Sequence, residues 1–194
     1  VDTSSAIMIA LGLALVTGLL YAVVLYNRLV SLKHNVSKAW ANIDVLLVQR
    51  HDELPKLVDV CREYMGYEQK TLEKVMQARA AVADARERRD LPALGRAEGA
   101  LRLGLGGVYA VAENYPDLKA DASFAHLQDR ITALENAIAD RREYYNESVN
   151  LNNVRIEQFP DVLIARRFGF GPFQLLEFDE RRKADVRVRA LFAT

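Results

Sequence analysis

The stretch AIMIALGLALVTGLLYAVVLY, residues 6–26, decides how this chain is built. Its 21 residues carry no charge, and a helix needs roughly 20 apolar residues to cross about 30 Å of hydrocarbon. A cleaved secretory signal has a shorter apolar core and a small-x-small cleavage site. Here the segment runs out through Tyr26-Asn27-Arg28-Leu29, which offers no such site, and Cys61 lies too far on to accept a lipid. The expectation is a retained single-pass anchor, with residues 1–27 forming the N-terminus and the transmembrane helix. Only Asp2 and the α-amine precede it, while Arg28, Lys33 and Lys38 follow with no acid before Asp44. The positive-inside rule then places the C-terminal domain in the cytoplasm.

Within the anchor, Ala6, Ala10, Ala14, Gly18 and Ala22 recur at every fourth residue. Small residues at this spacing let two helix backbones approach closely in lipid. The stripe predicts self-association in the membrane, set against the plain fact that alanine is common in membrane helices.

Outward from the anchor, composition excludes several classes. Lys+Arg and Asp+Glu balance at 26 each over 194 residues, whereas nucleic-acid binding domains carry a basic excess to neutralise phosphates. No nucleic-acid partner is expected. The single cysteine, Cys61, rules out an intramolecular disulfide. It sits on an apolar seam without a local histidine, which predicts a packed thiol rather than a nucleophile. His34, His51 and His126 are scattered. His51-Asp52-Glu53 resembles a metal cluster, but adjacent helical residues point different ways and no second histidine follows at i+4. Gly-rich phosphate loops, zinc-ligand spacings and Gly-x-Ser-x-Gly elbows are absent. No catalytic, cofactor or metal site, and no enzyme, is expected.

Beyond the anchor the chain reads as all-α. Val36, Trp40, Ile43, Leu47 and Arg50 follow a 3–4 spacing over 33–51. Pro55 then predicts a break or kink near 52–54, because proline removes a donor and disfavours helix at the preceding residue. A second helix over 54–88 carries Leu54, Leu57, Cys61, Tyr64, Glu68, Leu72, Val75 and Ala78, and ends in the charged turn Arg86-Glu87-Arg88-Arg89-Asp90. A third, over 91–113, holds Gly95, Gly99, Gly104, Gly106 and Gly107, half of the chain's glycines. Each costs about 1 kcal/mol relative to alanine, so a weak, irregular helix is favoured over close packing against a neighbour. Tyr115-Pro116-Asp117-Leu118-Lys119-Ala120 forms a turn. Asp121 or Ser123 caps a last long helix over 122–157, on the seam Leu127, Ile131, Leu134, Ile138, Arg141, Tyr145, Asn152 and Ile156.

Arg50, Glu68, Arg141 and Asn152 occupy seam positions where apolar residues belong, which predicts a buried polar network, with Glu68 pairing Arg141. From Phe159 onward the character changes. Six of the seven phenylalanines lie there, and Phe168, Phe170, Phe173 and Phe178 mix with Arg166 and Arg167. So much aromatic and basic surface predicts contact with the bundle, a partner or the lipid headgroups. Asp185-Val186-Arg187-Val188-Arg189 alternates like a strand.

These blocks, in this order, resemble the LemA family. The likeness runs from Tyr26-Asn27-x-Leu29-Val30 through Ala39-Trp40-Ala41-Asn42-Ile43-Asp44-Val45 and Arg50-x-x-x-Leu54-Pro55-x-Leu57-Val58. It continues through Ala78-Arg79-Ala80, Tyr115 to Ala120, Phe124-x-x-Leu127-Gln128 and Arg141-x-x-Tyr144-Tyr145-Asn146-x-x-Val149, and ends near Phe159-Pro160 and Gly169-Phe170. The glycines of 95–107 depart from the family's usual leucine- and alanine-rich helix. The resemblance, which covers about residues 20–175, implies a bacterial inner-membrane protein with an up-and-down bundle of about four helices, placed here over 28–158. The aromatic, basic tail over 159–194 follows, and its part after about 178 lies outside the likeness. No defined activity comes with it; relatives are loosely linked to membrane organisation. At 1.5 Å per residue the helix over 54–88 would reach about 52 Å against about 28 Å for 33–51, so a simple hairpin between them would drive the second into the bilayer. Either 33–51 continues straight from the anchor or the kink at Pro55 is shallow. The function expected is a homo-oligomeric scaffold that organises or shapes the membrane, with the lipid bilayer and further copies of the chain as partners. The alternative is an adaptor or regulatory subunit of another membrane protein, such as a protease or sensor.

Overall fold

The structure, a computed structural model, describes residues 3–178. Six helices occupy these residues: α1 (Thr3–Tyr64), α2 (Gln69–Glu87), α3 (Leu91–Ala112), α4 (Pro116–Ala120), α5 (Ala122–Glu157) and α6 (Asp161–Phe168). The all-α class expected from the sequence is what forms. The strand-like pentapeptide 185–189 and Phe192 lie outside the described residues. Two compact units result, residues 3–43 with 140–175, and 44–139 with 176–178.

In the second unit, four helical stretches form the bundle: 44–64 of α1, α2, α3 and 122–139 of α5. Leu54, Leu57, Cys61, Leu72, Leu101 and Ile131 lie within its core. The first correction to the sequence reading falls here. No break occurs at 52–54; α1 passes through Pro55 unbroken. An interior proline leaves the carbonyl four residues earlier without its donor, and that carbonyl belongs to His51. Arg79 of α2 donates Nε–H to the His51 oxygen at 2.8 Å, replacing the lost bond from outside the helix.

The chain turns instead at Met65–Glu68, so the helix expected over 54–88 is divided. Gly66 sits in this turn with open space around its Cα, and Met65, fully buried, pins the corner. The length conflict disappears with the shift. From 44 to 64, α1 spans about 32 Å, and the 19 residues of α2 span about 28 Å, which matches them as neighbours.

α2 ends as the charged run foretold, with Arg89 at φ +52°. Asp90 caps α3 by accepting from the Ala93 N–H at 2.9 Å, and Pro92 occupies the first turn. The glycines of α3 correct a second expectation. A Cβ on Gly104 would meet Val75 Cγ2 at 3.2 Å, and one on Gly95 would lie 1.8 Å from the Glu177 carbonyl oxygen. Close approach, not irregularity, explains these two: α2 packs on Gly104, and the 176–178 segment crosses over Gly95. Of the two caps weighed for α5, Asp121 is the one used, its Oδ1 accepting from Ser123 N at 2.7 Å and Phe124 N at 3.0 Å.

The first unit combines 3–43 of α1, 140–157 of α5, α6 and the extended segment 169–175. Leu29, Ile156 and Ala165 form its buried cluster, with Ile164 and Phe170 packed against it. Gly169, at φ +71°, ends α6 in the left-handed conformation that glycine adopts freely.

Candidate functional site

The candidate sites among the described residues are a surface and a buried centre. The surface begins with the anchor. Its most apolar 18 residues are left wholly unburied by the described residues. Ala10, Ala14 and Gly18 are exposed, with nothing within 4 Å of a Cβ built on Gly18; Ala22 is half-buried, and Ala6 lies in the same helix. The stripe stands open along most of its length.

At the cytoplasm-facing end expected from the sequence, the aromatic tail returns to the anchor. Tyr26 meets Phe168 edge-on with ring centroids 4.9 Å apart, and Phe170 at 5.7 Å. The Arg167 guanidinium stands 5.9 Å from the centroid of the Phe168 ring. Arg166 and Arg167 are exposed, Phe173 and Phe178 half-buried.

Sequence reasoning missed what holds this tail. Residues 170–175 adopt no helix or strand, so their backbone groups need partners from side chains. Asn153 supplies two: its Nδ2 donates to the Phe173 carbonyl and its Oδ1 accepts from the Phe173 N–H, both at 2.9 Å. Asn152, 1% exposed, donates to the Gly171 carbonyl at 3.4 Å, and Tyr145 donates its hydroxyl to that of Gln174 at 3.0 Å. The Tyr145 ring also meets Trp40 edge-on at 5.9 Å. Two adjacent asparagines late in a helix beside an aromatic, glycine-rich segment were the available signal.

The buried centre lies in the bundle. Arg50 of α1 donates through Nη2 to Glu98 Oε1 of α3, with side-chain exposures of 4% and 3%. Glu135 of α5 is half-buried, and burial pushes its carboxyl above the usual range; Arg50 opposes that shift and Glu98 adds to it. Arg50 and Asn152 are thus buried as expected, but Glu98 was not foreseen. Arg141 is exposed, which corrects its place in a buried network, and Glu68 is half-buried at the start of α2. The seam of α5 steps from Ile138 to the half-buried Arg142, four residues on rather than three, and so leaves Arg141 outside.

A second ionic group surrounds Glu53, only 10% exposed along its side chain, with Arg130 Nε at 2.9 Å and Lys56 Nζ at 3.1 Å. Burial works to raise its pKa, yet the Lys56 hydrogen bond and the Arg130 charge outweigh it and hold the carboxyl below the usual range. Cys61 is fully buried, and desolvation pushes its thiol up to about 11, which suppresses the reactive thiolate. Among the described residues no group of three or more His, Cys, Asp or Glu is placed to hold a metal ion. These arrangements fix helix register and place the tail.

A family model described as the LemA family matches residues 39–189. The chain is 29% identical over 92 residues to magnetosome proteins MamQ 1 and MamQ 2 of Paramagnetospirillum magneticum. It is 28% identical over 92 residues to magnetosome protein MamQ of Magnetospirillum gryphiswaldense. Each match takes in 47% of this chain and 33% of the relative, so the chain spans about a third of the length of these curated relatives. With the unburied apolar helix, these likenesses mark a membrane-associated protein.

Proposed function

The chain belongs to the LemA family, and from that premise we propose that it is a homo-oligomeric scaffold organising or shaping the bacterial inner membrane. The observation that carries this reading is the open stripe of the anchor: Ala10, Ala14 and Gly18 are covered by none of the described residues. In lipid, apolar surface alone gives helices no reason to associate, and close backbone packing along small residues does. A second uncovered face supports it. Tyr144, Leu151 and Val154 of α5 are 47%, 54% and 44% exposed and fall on one side of the helix, an apolar strip outside the membrane span. The reading is non-catalytic, with the bundle in the cytoplasm and the bilayer and other copies of the chain as partners. Relatives named for the magnetosome rather than for a reaction agree with it.

The test is the mass of the full chain after gentle extraction, compared with Ala14→Ile and Gly18→Ile, whose branched side chains hold two backbones apart. A discrete homo-oligomer that dissociates in these variants is the expected result. A monomer, or a stoichiometric complex with a different polypeptide, overturns the scaffold in favour of the adaptor.

A further inference from the structure

We propose that α6 lies in the headgroup layer of the membrane that its own chain crosses, where Arg166 and Arg167 hold the phosphoryl groups of anionic phospholipids. The inference rests on the reading of residues 6–26 as a membrane span and is independent of self-association.

Depth is the first argument. Twenty-one residues at 1.5 Å each span about 32 Å, the thickness of the hydrocarbon core, so Tyr26 ends at its boundary. The headgroup layer beyond is only about 5–8 Å deep. The Phe168 ring lies 4.9 Å from that of Tyr26, and the Arg167 guanidinium 5.9 Å from Phe168. The first distance keeps the Phe168 end of α6 within the layer, and the second lets the Arg167 guanidinium reach its outer part. Leu25, inside the apolar stretch, is only 4% exposed, as is expected if the chain already covers the anchor at this level.

Composition is the second. Successive helical residues turn by about 100°, which puts Arg166, Leu163 and Arg167 together on the outward face of α6, all exposed. Asp161, the acid of this helix, is turned inward at 2% exposure, so the outward face carries cations and one aliphatic anchor. Phe159 and Phe168 flank it at 79% and 58% exposure, and Arg28 is exposed two residues past Tyr26. Aromatic rings at the boundary with arginines reaching outward are what an interfacial helix presents to anionic lipid. Arginine pairs phosphate through two parallel N–H bonds, which suits a phosphodiester better than a diffuse charge would.

The test uses the full chain, with Cys61 replaced by alanine, in nanodiscs containing phosphatidylglycerol or phosphatidylcholine alone. Nitroxide labels are placed one at a time at Leu163→Cys, at Val23→Cys in the span, and at Leu103→Cys, 72% exposed on the bundle. Relative collision with oxygen and with a water-soluble nickel complex reports depth. In phosphatidylglycerol discs the oxygen-to-nickel ratio at 163 is expected to stand several-fold above that at 103 and below that at 23. It falls part of the way toward the value at 103 in phosphatidylcholine discs, whose phosphodiester is offset by choline, and in Arg166→Ala/Arg167→Ala. Packing on Tyr26 holds the remainder, and Arg166→Lys/Arg167→Lys recovers part of the loss. Circular dichroism confirms that helix content is unchanged. A ratio at 163 equal to that at 103, while 23 still reports lipid, overturns the proposal and leaves the anchor standing. Spin–spin broadening between labels at 163 overturns it in favour of a second copy on this face. The same rise produced in phosphatidylcholine discs by millimolar inorganic phosphate overturns it in favour of a soluble anion site.

Discussion

Replacing Arg50 by methionine should destabilise the bundle more than replacing Glu98 by glutamine, although the two side chains form one ion pair. Both are buried, at 4% and 3% exposure. Breaking a desolvated pair by removing one member costs about 3–5 kcal/mol, because the survivor keeps its burial and loses its counter-charge. Glu135 makes the two losses unequal. Its carboxyl is already pushed up by burial, with Arg50 holding it down and Glu98 pushing it further. Without Arg50, Glu98 and Glu135 are two carboxylates that keep only the weaker influence of Arg102 on Glu135, which places Arg50→Met in the upper part of the range, about 4–5 kcal/mol. Without the Glu98 charge, Glu135 remains as an anion for Arg50, and about 2–3 kcal/mol is expected for Glu98→Gln. The double variant Arg50→Met/Glu98→Leu removes both desolvation costs and should return close to the parent, since apolar replacements of a buried pair are often neutral or better. Urea unfolding of the detergent-solubilised chain, followed by circular dichroism, measures all three. In thermal melts Arg50→Met should fall by roughly 10 °C. Single losses below about 1 kcal/mol, as for a solvated surface pair, would refute the reasoning. So would a greater loss for Glu98→Gln, or strict additivity in the double variant.

Glu135→Gln tests the same centre through pH. A carboxyl whose folded pKa is raised favours the folded state most below its unfolded pKa, and that advantage is lost as pH rises through the folded pKa. The parent should therefore lose stability relative to Glu135→Gln as pH rises above about 4, read as diverging melting temperatures. Asn153→Ala removes both side-chain bonds to the Phe173 backbone; about 1–3 kcal/mol of local protection should vanish, seen as faster hydrogen exchange confined to the 169–175 segment. Gly95→Ala and Gly106→Ala should act in opposite directions. A Cβ at Gly95 lies 1.8 Å from the Glu177 oxygen and one at Gly106 meets nothing. Gly95→Ala should cost about 1–3 kcal/mol or release the 176–178 segment, while Gly106→Ala should gain up to about 1 kcal/mol from helix propensity. Denaturant midpoints of the two variants check this.

What the sequence made legible was whatever depends on short-range periodicity. The boundaries of α3 and α5, the cap at Asp121, the exposed anchor and the burial of Arg50 and Asn152 follow from 3–4 spacing, capping chemistry and the cost of burying polar groups. Features set by a distant residue were not legible. Pro55 reads locally as a stop, and only Arg79, a full helix away, lets the chain ignore it. Gly95 reads as a weak helix position, and only the backbone of Glu177, more than eighty residues on, shows why a side chain is excluded there. Arg141 and Arg142 are equally good continuations of the seam from Ile138, and packing alone selects between them. Glu98 lies in a glycine-rich run whose apolar pattern is diluted, so nothing nearby marks its side as the buried one.

The same long-range logic bears on how the membrane end is organised. Eight residues are too few to hold a helix in water on their own, so α6 owes its existence to what it packs against: Leu29 of α1, Ile156 of α5, and the Tyr26 ring. Two of these three belong to α1, the helix that carries the apolar stretch. The segment that follows α6 is fixed by Asn152, Asn153 and Tyr145 rather than by lipid. The placement of Phe168, Arg166 and Arg167 is therefore prepared by the fold before any lipid is met, and the ordering cost that a disordered basic tail would face on reaching a bilayer is largely met during folding. The same dependence makes the end of the apolar stretch a structural part of this unit. Cutting α1 before Leu29 would remove Leu25 and Tyr26 from this corner, uncover Phe168 and Phe170, and leave α6 resting on Leu29, Ile156 and the asparagine clamp. Folding of this unit therefore draws on residues of the apolar helix as much as on α5 and α6.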